Sequence, residues 1–188
     1  DLRPTSELLW RIHKTSGPRP SRWDEFRSYG PLASTRWDPH SPPLGEHPEA
    51  VLYAATDFRT AVAEVFQTTR RIDPLSGNPW VATFVPAEPL HLLRLYDRDA
   101  SWLLRHGASH SLMHGPRSTC RHWACAILGT YDVDGLWVRS TATKTGSTPG
   151  SSPRGRDGQA GHGRQGPDVG LIPARAGRSA ARRAARIA

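Results

Sequence analysis

The sequence predicts an α/β (α+β) domain, a small mixed sheet with flanking helices, followed by a basic tail. Three observations carry this. A short apolar run at 51–55 (VLYAA) stops at Thr56-Asp57 and passes directly into a helical pattern. Further short apolar runs at 80–85, 90–96 and 136–138 are bounded by Pro, Asp or Gly and read as strands. Residues 117–131 carry a second helical pattern, with Cys120, Ala124, Ile127, Leu128 and Tyr131 on one face.

In chain order, residues 5–14 (TSELLWRIHK) offer Leu8, Leu9, Trp10 and Ile12 to a core, with 10–12 as a strand. Arg11 lies among these apolar residues. It either snorkels to the surface or turns its guanidinium into a cleft, where the planar fork suits a phosphate. Residues 16–48 are rich in Pro, Ser, Gly, Arg and Trp and read as one long loop, a kind of segment that often carries function. Trp37 in that loop is either a core plug or, beside Arg36, a stacking surface for a nucleotide. Asp57 is a good N-cap for the helix that follows. Behind it Phe58, Ala61, Val62, Val65 and Phe66 share one face, and Glu64 lies about 130° from the middle of that stripe. Asp73 to Pro79 is a turn, residues 100–105 form a short helix and 106–116 a loop. Ser118 opens the second helix as its cap or first-turn residue, and Ser140 follows the strand after Asp134-Gly135.

The chain of 188 residues is long enough for one cored domain. Its net charge of +8 is unevenly placed: residues 141–188 hold nine Lys or Arg against two Asp, a net of +7, and the first 140 are nearly neutral. A nucleic-acid reading therefore rests on the tail alone. That tail has no Trp, Tyr or Phe and nine of the 17 glycines, so residues 146–188 are expected to be disordered, with a marginal helix at 180–187. The domain is placed at 1–145. Two cysteines fit a reducing compartment rather than a disulfide framework. No apolar run reaches membrane-spanning length and no signal peptide is visible, so the expected location is cytoplasmic. His106, His110 and His114 recur every four residues, but intervening Gly and Ser make a poor helix, and no metal site is expected. No P-loop, dinucleotide fingerprint or nucleophile elbow is present, so ATPase, Rossmann dehydrogenase and α/β-hydrolase readings fall away.

Four short patterns occur in order: Trp10-Arg11, Arg36-Trp37-Asp38-Pro39, Tyr53-Ala54-Ala55, and Ala61-Val62-Ala63-Glu64. In this the chain resembles the RES family, bacterial toxins with an ADP-ribosyltransferase-like fold that destroy NAD, over roughly residues 8 to 140. The resemblance implies a split sheet, NAD as substrate with no further cofactor, and cleavage of the nicotinamide–ribose bond by phosphorolysis or hydrolysis, with transfer of ADP-ribose to a protein as a third outcome. It implies Glu64, Arg36 and Tyr53 as catalytic residues, and Arg11, Arg36, Trp37, Tyr53, Ser118 and Ser140 as NAD contacts, Ser118 ahead of Ser140. It implies inorganic phosphate or water as acceptor and an antitoxin protein as partner in a type II toxin–antitoxin system. The family continues with one more apolar strand, and this chain departs from that pattern after about Thr148. An altered C-terminus and an incomplete sheet are therefore expected. Two alternatives stand beside the toxin reading: a basic nucleic-acid-binding module acting through the Arg-rich tail, and an inactive relic.

Overall fold

A computed structural model describes residues 2–96, 102–141 and 168–174, the last stretch and Arg3 by backbone alone. The strands are β1 (Leu2–Thr5), β2 (Leu9–Lys14), β3 (Arg27–Gly30), β4 (Gly45–Ala55), β5 (Pro79–Phe84), β6 (Leu90–Arg94), β7 (Gly135–Arg139) and β8 (Asp168–Ala174). The helices are α1 (Phe58–Phe66), α2 (Trp102–Arg105) and α3 (Arg117–Thr130), with a 3-10 turn at His110–His114. The strands form one mixed sheet in the order β1-β6-β7-β8-β4-β2-β5, with β3 on β4. Among the described strands only β6 and β7 pair in parallel.

The apolar runs are continuous rather than alternating because the middle of the sheet is covered on both faces. Val51, Leu93, Leu95, Leu136 and Val138 face α2, the 3-10 turn and α3, where Cys120, Ala124 and Ile127 complete a core. Their neighbours Leu52, Ala54, Leu92 and Trp137 point the other way and pack with Leu9 and Phe84 beneath Trp23 and Phe26. Leu8, expected in the core, is 42% exposed while Leu9 is fully buried: at the head of β2 only one of the two can face inward.

The sheet is split along one seam. β2 pairs with β5 over six residues but touches β4 only at Trp10 opposite Ala55. β3 covers the other end of the same edge of β4, between Gly45 and Val51. Residues 52–54 are thus left without a strand partner on that side among the described residues. A cavity occupies this gap.

Two expectations are corrected. The long loop at 16–48 contains β3 and the first four residues of β4, because β4 begins six residues before the apolar run. Its early residues, GEHPEA, are all half-buried or exposed and carry no core signature. The second correction concerns the tail. Residues 168–174 (DVGLIPA) form β8 between β4 and β7, pairing Tyr53 with Leu171 and Leu136 with Leu171 from either side. A strand is supplied from within the tail, and it joins β4 to β7. Its short apolar core was overlooked among glycines and arginines. The remaining tail, with the helix expected at 180–187, lies outside the described residues, as do Ala100 and Ser101 of the expected short helix.

No helix among the described residues is long and apolar enough to cross a membrane. The position of β8 gives a direct test. Deleting residues 168–188 should open the sheet between β4 and β7 and abolish cooperative thermal unfolding, followed by circular dichroism. Deleting only 175–188 should leave the transition in place.

Candidate active site

The cavity at the seam has a volume of about 640 Å³, within the range of small-molecule sites. Its walls come from β2, β4, α1, the loop at 34–37 and the end of β7.

The carboxylate comes from α1. Asp57 caps this helix, accepting from Thr60 N at 2.9 Å and Thr60 Oγ1 at 2.6 Å. The helix packs on only part of the expected stripe: Ala61 is buried, with Thr60 beside it, whereas Phe58 is 45% and Val65 40% exposed. Small residues let α1 lie close to β2 and β4, and this placement brings Glu64, one turn beyond Thr60 and Ala61, to the cavity wall. Glu64 Oε1 accepts from Ser140 Oγ at 2.6 Å, and Oε2 accepts from Gln67 Nε2 at 3.2 Å. Ser140 is 5% exposed.

The cations come from three directions. Arg11 on β2 donates from Nη1 to the carbonyl of Trp23 at 2.6 Å. Burial lowers its pKa to about 10, against the raising influence of Glu25 and Asp24, and it remains cationic at neutral pH. Arg36 donates to the carbonyl of Gly115 and lies 3.7 Å from Cys120 Sγ. Arg139, at the end of β7, donates to Tyr96 Oη at 2.8 Å. All three line the cavity.

The loop that presents Arg36 is built around Asp38. This carboxylate is fully buried and accepts from Leu32 N at 2.9 Å, Thr35 Oγ1 at 2.8 Å, Arg27 Nη2 at 2.9 Å and His40 N at 3.2 Å. His40 Nδ1 lies 2.7 Å away but without hydrogen-bond geometry, while its Nε2 meets the carbonyl of Glu49 at 2.9 Å. Burial by itself would raise the Asp38 pKa. The hydrogen bond from Leu32, the Arg27 charge and the bonds from Thr35 and His40 outweigh it, and the net shift is downward. Gly30 passes so close that a Cβ there would overlap the His40 ring.

Tyr53 lines the cavity from near the end of β4. Burial, then the Asp38 charge, pushes its pKa upward, so the phenol keeps its proton. Its hydroxyl is enclosed beside Thr35 and Arg27 yet makes no hydrogen bond. Trp37 also lines the cavity and, at 4% exposed, belongs to the core with Val51 and Leu93.

The model of one protein family, the RES domain, matches residues 8–149. The chain belongs to the RES-domain family. No curated protein and no solved structure matches it. The matched span of the RES domain includes every residue expected at the site, and the fold brings Arg11, Arg36, Trp37, Tyr53 and Glu64 to one cavity, with Ser140 bonded to Glu64. Ser118 is not brought there. It is exposed in the first turn of α3, whose N-cap is Pro116 rather than Ser118. Of the two serines, Ser140 is the one placed beside Glu64, while Ser118 is exposed. Gln67, Arg27 and Arg139 were missed. Gln67 stands three residues after Glu64, the spacing that returns a side chain to the same helix face, and this was a readable signal. Nothing local marked Arg27 or Arg139. The three histidines at four-residue spacing do not converge: His106 stacks on Trp102 at 3.9 Å, and His110 lies beside Tyr96.

Asp38→Asn should cost on the order of 1–3 kcal/mol at neutral pH by weakening a buried charged network. Because folding lowers the Asp38 pKa, its stabilising contribution is complete above the unfolded value of about 4 and is lost as pH falls through the lower folded value. Thermal melts between about pH 5 and pH 2 should show a steeper acid decline in the wild type than in Asp38→Asn.

Proposed function

We propose that this RES domain cleaves the bond between nicotinamide and ribose in NAD, and that it acts as the toxin of a bacterial type II toxin–antitoxin pair on a cytoplasmic NAD pool. The observation that carries the reading is one cavity holding a fixed carboxylate, Glu64, with guanidinium groups of Arg11 and Arg36 that bond to carbonyl oxygens rather than to carboxylates. Such a cavity suits a ligand with a doubly charged pyrophosphate at one end and a developing cation at the other.

The chemistry asks little of acid catalysis. Nicotinamide departs from a cationic ring and leaves as a neutral molecule, so no general acid is needed. The ribose carbon gains oxocarbenium character, and a carboxylate nearby stabilises that charge. Glu64 takes this role in the proposal, accepting a ribose hydroxyl or facing the cation. Arg11 and Arg36 bind the pyrophosphate with their planar forks. Tyr53 packs against the nicotinamide or ribose and offers a phenol that stays protonated. Trp37 supports the wall from the core. The bond from ribose to nicotinamide breaks, and a bond forms to water, giving ADP-ribose and a proton, or to inorganic phosphate, giving the ribose phosphate ester. Transfer to a protein acceptor would use the same cation.

Purified protein should consume NAD, and Glu64→Ala should slow this on the order of a hundredfold or more, measured by release of nicotinamide. The rate with and without added phosphate names the acceptor. Arg36→Lys should raise KM for NAD with a smaller effect on kcat, since the ammonium cannot offer the fork. Absence of NAD loss from folded protein would overturn the reading. Expression without a cognate antitoxin should arrest growth, and Glu64→Ala should relieve the arrest.

A further inference from the structure

We propose that Gln67 and Ser140 are positioning residues that clamp the Glu64 carboxylate from its two sides, and that Ser140 serves the site through Glu64 rather than by touching the ligand. The proposal rests on the reading of Glu64 as the group that faces the ribosyl cation.

The geometry is asymmetric in origin and symmetric in effect. Ser140 arrives immediately after β7, far along the chain, and its single hydroxyl proton is directed at Glu64 Oε1 over 2.6 Å. Gln67 caps the C-terminal end of α1 and turns back one helical turn. Its amide nitrogen bonds both the Glu64 carbonyl at 3.0 Å and Oε2 at 3.2 Å. Tying the amide to the backbone carbonyl holds it in place to grip the carboxylate. Among the described residues each carboxylate oxygen therefore has one protein donor, and each keeps a lone pair for a ribose hydroxyl. A glutamate side chain on a helix surface has considerable rotamer freedom, and catalytic placement tolerates little of it: an error of about 1 Å can cost about a hundredfold. Ser140 is buried behind the carboxylate, while Gln67 stands on the cavity wall beside it.

The test compares side chains of matched shape. Ser140→Val and Ser140→Thr add the same bulk, and only threonine keeps the donor. Gln67→Met preserves length without a donor. Ser140→Val and Gln67→Met should each lower kcat for NAD about tenfold with KM within about twofold of wild type. Ser140→Thr should recover most of the kcat lost in Ser140→Val. A rise in KM with kcat intact in Ser140→Val would make Ser140 a ligand contact and overturn the proposal, as would unchanged kcat in both donor-less variants. A second readout is independent of the substrate. Crystal structures without ligand should show the Glu64 carboxylate in one orientation in the wild type and Ser140→Thr, and in several in a Ser140→Val/Gln67→Met double variant. A single orientation in the double variant overturns the clamp. If the clamp is seen and wild-type protein leaves NAD intact, the reading of function fails and the clamp stands.

Discussion

β4 cannot pair along its whole length on both sides, and the site exists because of that. On one side β8 matches it from Ala50 to Ala55. On the other, β3 holds its first half and β2 meets it at a single position, Trp10 opposite Ala55. An unpaired strand edge inside a domain is costly unless something else satisfies or fills it. Here the gap is flanked by a tyrosine phenol, a helix carrying a carboxylate, and an arginine from the diverging strand. The same separation that weakens the sheet makes room for a ligand.

The loop that closes the gap is held by a buried charge. Asp38 gathers donors from Leu32, Thr35, Arg27 and His40, and these contacts fix the segment between β3 and β4 in the absence of regular structure. Arg36 and Trp37 precede it directly. The core anchors Trp37 and a carbonyl on the facing loop receives Arg36. A buried carboxylate is weak evidence of stability in general. At this position it converts an irregular loop into a rigid wall, so that a cation can be presented where no helix or strand could carry it.

Much of this was legible in the sequence, and the failures have physical causes. The strand at 51–55, its turn at Asp57 and the helices at 58–66 and 117–130 follow from short apolar runs and caps, which are local signals. Arg11, Arg36, Tyr53 and Glu64 were found from short patterns in order, which the fold gathers at one cavity. The packed face of α1 was not legible. Periodicity favoured Phe58, Ala61 and Val65 together, but close approach to the sheet buries Ala61 with its small neighbour Thr60 and leaves Phe58 and Val65 exposed, and only the tertiary contact decides this. β3 and the start of β4 have little apolar content and are specified by their partner strand. β8 was hidden for the opposite reason: a short apolar run was judged by the composition of its surroundings. Arg27 and Arg139 reach the cavity through non-local packing, which a linear pattern does not encode.

The place of β8 also bears on how the protein comes into being. A central strand that follows both of its partners in sequence means that β4 and β7 emerge from the ribosome before the segment that joins them. Until then each exposes an apolar strand edge, a state prone to wrong pairings and slow to resolve because its contacts are so distant along the chain. The two halves of the site share this fate, since Tyr53 lies on β4 and Ser140 just after β7. The cavity therefore takes its final form only once residues 168–174 have been added, and until then the nascent chain is without a finished site.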